Sequence, residues 1–333
     1  MMKSKSPHRV RVGTNGWRIK FAAVAAAALL GLAFPAQAAY PDRPIELVVA
    51  WPAGGGIDVP GRLIAQTLSK LWGVPINVVN KPGASGVKGT LEALSSRPDG
   101  YTMIVESGAT SSIQVNAVKD VPYKIEDRTY VSRVVALPMN YIVAANSPFK
   151  TIKDVADAAK ADPGNFVWAT AAPSTVLALS LSQFFQAIGV PTAKTRRVAF
   201  VGGPEVAQAV AGGHAKFGAF AVNSTLPLVQ AGKLRSIGVL TPERVPSLPN
   251  VPTSAEQGFP QLDASAWIGV SGPRGLPAEV VAKWDEALRA AVKDKEFTAA
   301  ADRIGTVPFY LGPAEFRAFV LNETKQVAGL LAQ

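Results

Sequence analysis

The chain has 333 residues, no cysteine, and 34 Lys and Arg against 24 Asp and Glu, for a formal net charge of +10. The missing cysteine excludes disulfide scaffolds and thiol chemistry. Six of the basic residues and none of the acidic ones precede residue 39, so the 295 residues that follow carry only +4, and without a Lys/Arg run nucleic acid is not expected as a partner.

Residues 1–38 read as an export leader. Lys3, Lys5, Arg9, Arg11, Arg18 and Lys20 make a basic start, and residues 21–34 form an apolar stretch too short to span a bilayer. Ala36-Gln37-Ala38 is a small-residue cleavage signal. Cleavage after Ala38 by the general secretory route is expected, because no Arg-Arg pair precedes the apolar stretch, and the expected location is the periplasm.

Beyond the leader, short β-rich runs alternate with helical patterns. Residues 45–50 predict a strand, 59–71 a helix, 76–80 a strand, 86–94 a helix and 101–106 a strand. Residues 139–144 predict the next strand, 152–161 a helix, 166–171 a strand and 174–188 a long helix ended at Gly189. Then come a strand over 194–200, a helix over 205–211, a strand over 217–222, a short helix over 225–230 and a strand over 236–240. Amphipathic helices over 277–291 and 313–328 close the chain. This alternation predicts an α/β chain with parallel sheets. Breaks near Pro138 and in the Pro-rich stretch 241–260 divide it into a first lobe over 39–140, a second over 141–250 and a return to the first over 251–333. Two crossings make a hinge, and a hinge between α/β lobes makes a cleft.

The most telling stretch runs from Trp51-Pro52-Ala53 through Gly54, Gly55 and Gly56 to Ile57 and Asp58, between the first strand and the first helix. Glycines there let backbone N–H groups crowd together beside the positive end of a helix dipole, which suits an anion held by main chain. A plain tight turn is the competing account. Asp58 reads as an N-cap or as a group that orients loop amides or a water, since a carboxylate placed directly against an anion would repel it. Ligands of open α/β sheets sit beyond strand carboxyl ends. The loops there nominate Ser107, Ala109, Asn116, Thr170, Ser174, Thr175, Gly202 and Asn223 as ligand contacts. Trp51, Trp168, Phe200 and Phe220 near strand ends could cover a flat ligand. Each of these also has an ordinary reading, as a loop polar group or a core aromatic.

Catalytic equipment is sparse. Beyond the leader the one histidine, His214, falls at a predicted turn; Gly83 to Gly86 lacks the spacing of a nucleophile elbow, and Lys88-Gly89-Thr90 scrambles the phosphate-loop order. No metal site and no cofactor are expected, and the chain is not expected to be an enzyme.

Several motifs recur in a fixed order: Tyr40-Pro41-Asp42-Arg43-Pro44-Ile45, Pro52-Ala53-Gly54-Gly55-Gly56-Ile57-Asp58, Asn80-Lys81-Pro82-Gly83-Ala84-Ser85-Gly86 and Arg97-Pro98-Asp99-Gly100-Tyr101-Thr102. Pro122-Tyr123, Ala231-Gly232-Lys233-Leu234-Arg235, Leu248-Pro249-Asn250-Val251-Pro252-Thr253 and Ala266-Trp267-Ile268-Gly269 follow. In this order and spacing the chain resembles the Bug-type receptors, the extracytoplasmic solute-binding proteins of tripartite tricarboxylate transporters. The resemblance implies a type II periplasmic-binding-protein fold, two α/β lobes joined by a two-crossing hinge. It implies capture of a small carboxylate, with room here for an apolar or aromatic body, and delivery to membrane permease subunits by a receptor expected to be a monomer. A periplasmic sensor of the same fold feeding a two-component system is the alternative, and a carboxylate-processing enzyme the third reading. The chain departs from the family at Ile57, where a hydroxyl residue is usual, at Val198-Ala199-Phe200-Val201-Gly202, which lacks a phenol and an ammonium, at Gly212-Gly213-His214-Ala215-Lys216, and at Ala171-Ala172-Pro173-Ser174-Thr175. These changes imply a less polar cleft.

Overall fold

A computed structural model of the protein describes residues 1, 40–170, 176–200, 202–262 and 264–331. By internal contact the chain divides into residues 1–42 and residues 43–333, and the second unit carries the described strands and helices. Strand β1 (Ile45–Val49) is buried at all but one position, and it reads as a continuous apolar run because both faces of its sheet are covered. The glycine loop leads from it into helix α1 (Asp58–Trp72), which ends on Gly73 in the left-handed conformation. Strand β2 (Ile76–Asn80), helix α2 (Val87–Leu94) and strand β3 (Thr102–Glu106) follow, and β2 and β3 flank β1 in parallel.

After the short helix α3 (Gln114–Ala117) comes strand β4 (Arg128–Ala144), seventeen residues long. Beyond it run α4 (Ile152–Ala161), β5 (Val167–Thr170), α5 (Val176–Ala187), β6 (Arg196–Ala199), α6 (Gly203–Ala211), β7 (Phe217–Ala221), α7 (Val222–Gln230) and β8 (Leu234–Val239). The chain ends with β9 (Ser265–Pro273), α8 (Ala278–Ala291), α9 (Lys295–Arg303), β10 (Val307–Leu311) and α10 (Pro313–Leu331). The ten strands form one continuous sheet in the order β2-β1-β3-β9-β4-β7-β5-β6, with β8 and β10 also paired to β4.

β4 joins the two lobes. Up to Pro138 it pairs with β9, and from Met139 onward with β7 and β8, all antiparallel. The sheet is therefore mixed, which corrects the expectation of parallel sheets: the outer strands are parallel, and the strands that cross between lobes run against them. The first eleven residues of β4, all of β9 and β10, and helix α9 stand where no regular element was predicted. Buried polar side chains hide the strand pattern of β4, because Arg128 and Arg133 are 5% and 7% exposed and Ser132 is wholly buried.

Each lobe has its own core. Tyr141, Phe166, Trp168, Phe184, Phe185 and Phe217 pack in the second, with Tyr141 and Phe217 ring centroids 4.9 Å apart and edge-on. Leu262 and Ala264 join this core, and Val245 and Leu248 pack on Val222 and Val239. In the first lobe Ile125, Tyr130, Trp267, Phe316 and Val320 cluster. The Trp267 indole N–H donates to Glu323 Oε1 at 2.9 Å, and burial holds the Glu323 carboxyl above its ordinary range. Among the described residues no helix is long and apolar enough to cross a membrane.

Candidate functional site

The glycine loop is held by a single carboxylate. Gly54 adopts φ +76°, which favours glycine, and its N–H donates to Asp58 Oδ2 at 2.8 Å. Arg62, one helical turn on, donates to both Asp58 oxygens at 2.8 and 3.0 Å, and Asn80 Nδ2 donates to Oδ1 at 2.8 Å. The same Asn80 amide reaches Trp51 O at 3.0 Å, so the start and end of the loop are tied together. Burial pushes the Asp58 carboxyl up, but the bonds from Arg62, Gly54 and Asn80 outweigh it and hold the group below its ordinary value of 3.8. The N-cap expectation is corrected. Ile57 occupies the cap position without a side-chain bond, and Asp58 binds backward to the loop as the amide-orienting group.

This bracing leaves main-chain donors spare. The N–H groups of Gly55, Gly56 and Ile57 donate to no other described residue, and neither do those of Gly108 and Ala109 in the turn after β3. That second turn rests on a buried ion pair. Arg128 Nη1 donates to both oxygens of Glu106 at 2.9 Å, Thr110 Oγ1 donates to Glu106 Oε1 at 2.6 Å, and Ser271 Oγ donates to Oε2. Both members of the pair are fully buried.

A cavity of about 190 Å³ lies between the lobes. From the first lobe Trp51, Pro52, Ala53, Gly55, Gly56, Ile57, Ser107, Gly108, Ala109 and Ala266 line it; β4 contributes Leu137 and Met139 at the point where it changes lobe. From the second lobe come Gly202, Gly203, Pro204, Glu205, Phe220 and Ala221. Gly203 opens α6 directly against the Phe220 ring: a Cβ there would lie 2.0 Å from the nearest ring carbon. A wider vestibule of about 640 Å³ adjoins, lined by Ala50, residues 82–86, Ala199 and Phe200, and it shares Trp51, Pro52 and Glu205 with the inner cavity. Neither lining includes Lys, Arg or His.

Of the residues proposed from sequence, Trp51, Ala53, Gly55, Gly56, Ile57, Ser107, Ala109, Gly202 and Phe220 come together around the inner cavity, and Phe200 stands in the vestibule. Gly54 and Asp58 do not line it; they shape the loop that does. Asn223 crosses the cleft, with Nδ2 donating to Gly56 O at 2.9 Å. Asn116 is spent elsewhere, on Ser112 O at 2.7 Å and Thr324 O at 3.1 Å, which fasten α3 to α10. Thr170 is buried at the end of β5 outside both linings. Ser174 and Thr175 lie outside the described residues. Trp168 is a correction: its N–H bonds Thr195 Oγ1 at 2.7 Å and its ring packs on Phe185 in the core. His214 is an exposed turn residue. Among the described residues no group of three His, Cys, Asp or Glu could hold a metal.

Sequence reasoning missed Arg62, Asn80, Leu137, Met139 and Glu205. The i,i+4 spacing of Asp58 and Arg62 was a readable signal for one of them. The rest depend on contacts distant in sequence.

Residues 61–333 match the family described as tripartite tricarboxylate transporter family receptor. Protein BugT of Bordetella pertussis is 30% identical over 310 residues, covering 92% of this chain and 94% of BugT. Among solved structures, Rpa4515 of R. palustris with adipate is 27% identical with a TM-score of 0.81, covering 87% of this chain and 98% of that one. MatC from Rhodopseudomonas palustris with bound malate is 25% identical with a TM-score of 0.79, covering 87% and 99%.

Proposed function

Because the chain belongs to the tripartite tricarboxylate transporter receptor family, whose members are extracytoplasmic solute-binding proteins, we propose that it captures a small carboxylate in the inter-lobe cavity. The observation that carries this reading is the set of spare main-chain donors at Gly55, Gly56, Ile57, Gly108 and Ala109, residues of two loops that line one cavity without a basic side chain. Preorganised N–H groups at the start of α1 suit a carboxylate and need no counter-ion side chain. Solved relatives with malate and adipate agree with that chemistry.

The ligand contacts in this reading are Trp51, Ala53, Gly55, Gly56, Ile57, Ser107, Ala109, Gly202 and Phe220, with Asn223 closing over Gly56. The lobes divide at 39–140, 141–250 and 251–333; the packing of Leu262 and Ala264 on the second lobe favours a return nearer Ser265. Residues 1–38 direct export and are removed after Ala38. The loaded receptor releases its solute unchanged to membrane permease subunits.

Titration calorimetry with carboxylates tests the site. A Gly56→Val side chain would point at Asn223 and Ser224, whose oxygens lie 3.4 Å from an ideal Cβ. Gly56 does not have positive φ, so the fold should survive while the carboxylate loses both its amide and the closing contact. One charged hydrogen bond is worth about 1.5–3 kcal/mol, so affinity should fall at least about tenfold. Unchanged affinity would place the carboxylate elsewhere, and chemical change of the ligand during incubation would overturn the receptor reading.

A further inference from the structure

The donors and the one charged side chain in the linings are distributed differently. Gly55, Gly56, Ile57, Gly108 and Ala109 line only the inner cavity, whereas Glu205 lines both that cavity and the vestibule. The larger side chains of the inner cavity are otherwise apolar, among them Ile57, Leu137, Met139 and Phe220. Lys81, adjoining the vestibule residue Pro82, is already held by Glu46 and by Glu92 at 2.7 Å, and Lys88 packs its alkyl stem beside Gly83 without lining the vestibule.

A ligand whose carboxylate takes the main-chain donors therefore extends along apolar walls toward an acid. A second carboxylate beside Glu205 would meet that acid with no Lys, Arg or His in either lining to oppose it, and burying an unpaired charge as the lobes close is costly. The N-terminus of α6 does not relieve this, because Glu205 sits in its first turn and its own carboxylate already takes the favourable field. Resting on the carboxylate reading above, we propose that Glu205 is a specificity-determining residue. The receptor takes a monocarboxylate with an apolar body whose far end carries a cationic or hydrogen-bond-donating nitrogen, and it rejects dicarboxylates.

Three probes of similar size separate the possibilities: 4-(aminomethyl)benzoate, benzoate and terephthalate, titrated into the wild-type chain and into Glu205→Gln at neutral pH. Glu205 is exposed, so the variant should fold, and an unchanged unfolding midpoint checks this. Wild type should bind the amino acid-like probe at least about fivefold tighter than benzoate, and benzoate at least about fivefold tighter than terephthalate. In Glu205→Gln the first gap should close to within about threefold and terephthalate should gain at least about fivefold, with the wild-type preference weakening as salt is raised. The same ranking and spacing in both proteins, or terephthalate binding tightest to wild type, overturns the inference and leaves carboxylate capture standing. Binding of none of the three to either folded protein overturns carboxylate capture and the inference together.

Discussion

On one side of the cleft a buried carboxylate, a guanidinium and a carboxamide hold five residues of main chain in place; on the other, a glycine meets an aromatic ring. The Gly54–Asp58 loop is shaped by hydrogen bonds, and its spare N–H groups are a by-product of where those bonds go. The Gly202–Glu205 start of α6 is shaped by steric exclusion against Phe220. Directional bonds fix where donors point, and contact with a ring fixes only how near a wall can come. The difference teaches that, in the proposed reading, the first wall meets the ligand's anionic group and the second limits its girth.

Breaking the first wall should cost most. Asp58→Ala leaves the Gly54 N–H without its acceptor and the Asn80 amide with only Trp51 O, while half-exposed Arg62 can rehydrate. Losing a charged acceptor shared by several donors should lower stability by about 3 kcal/mol, measured by chemical denaturation, and abolish detectable binding. The same carboxylate gives that wall a pH signature. Its folded pKa is depressed below 3.8, so its contribution is complete above that value and fades as pH falls through the lower folded value. The stability gap between wild type and Asp58→Asn should therefore be wide at pH 6 and narrow at pH 3; a constant gap would remove the carboxylate from the account.

The second wall should respond to volume. In Gly203→Ala the new Cβ would fall 2.0 to 2.6 Å from three Phe220 ring atoms. Overpacking of this kind should cost about 2 kcal/mol, and Phe220→Leu in the same chain should recover most of it. Additive losses in that double-mutant cycle would show that the ring does not set the wall. The smallest effect belongs to the bond between the walls. Asn223→Ala removes the donor to Gly56 O and should weaken ligand binding by about 1 kcal/mol. Small-angle scattering should show a smaller ligand-induced decrease in radius of gyration than in wild type. An identical decrease and affinity would make the contact incidental.

The first wall was legible in sequence because its determinants are local. An apolar run, three glycines and a helical repeat lie within about thirty residues, and the motif order pointed to the same fold. The second wall was only partly legible. Trp51 and Trp168 both stand near strand ends, yet Trp51 lies in the loop beyond β1 and lines the cleft, whereas Trp168 lies within β5 and packs on Phe185. Leu137 and Met139 reach the cavity on a strand whose earlier half looked like loop. Ser132 bonds Asp285 Oδ1 at 2.7 Å, and the Arg133 guanidinium lies 4.2 and 4.8 Å from the Phe309 and Phe319 ring centroids. Those partners are more than 150 residues away, beyond the reach of any local pattern. Glu205 was read only as the first residue of a helix over 205–211, whereas that helix starts at Gly203.

Pro138 marks the register position at which β4 leaves β9 for β7 and β8, and it brings no N–H to either ladder. The two lobes thus share an unbroken length of backbone and not a flexible tether. Rotation of one against the other has to be taken up as torsion of a strand clamped on both sides, so the joint works as a flexure, with restoring torque, and not as a free pivot. Its stiffness enters every binding constant the receptor has: a softer Pro138 region widens the angular spread between captures, and a stiffer one narrows the range of solute lengths over which the walls can meet.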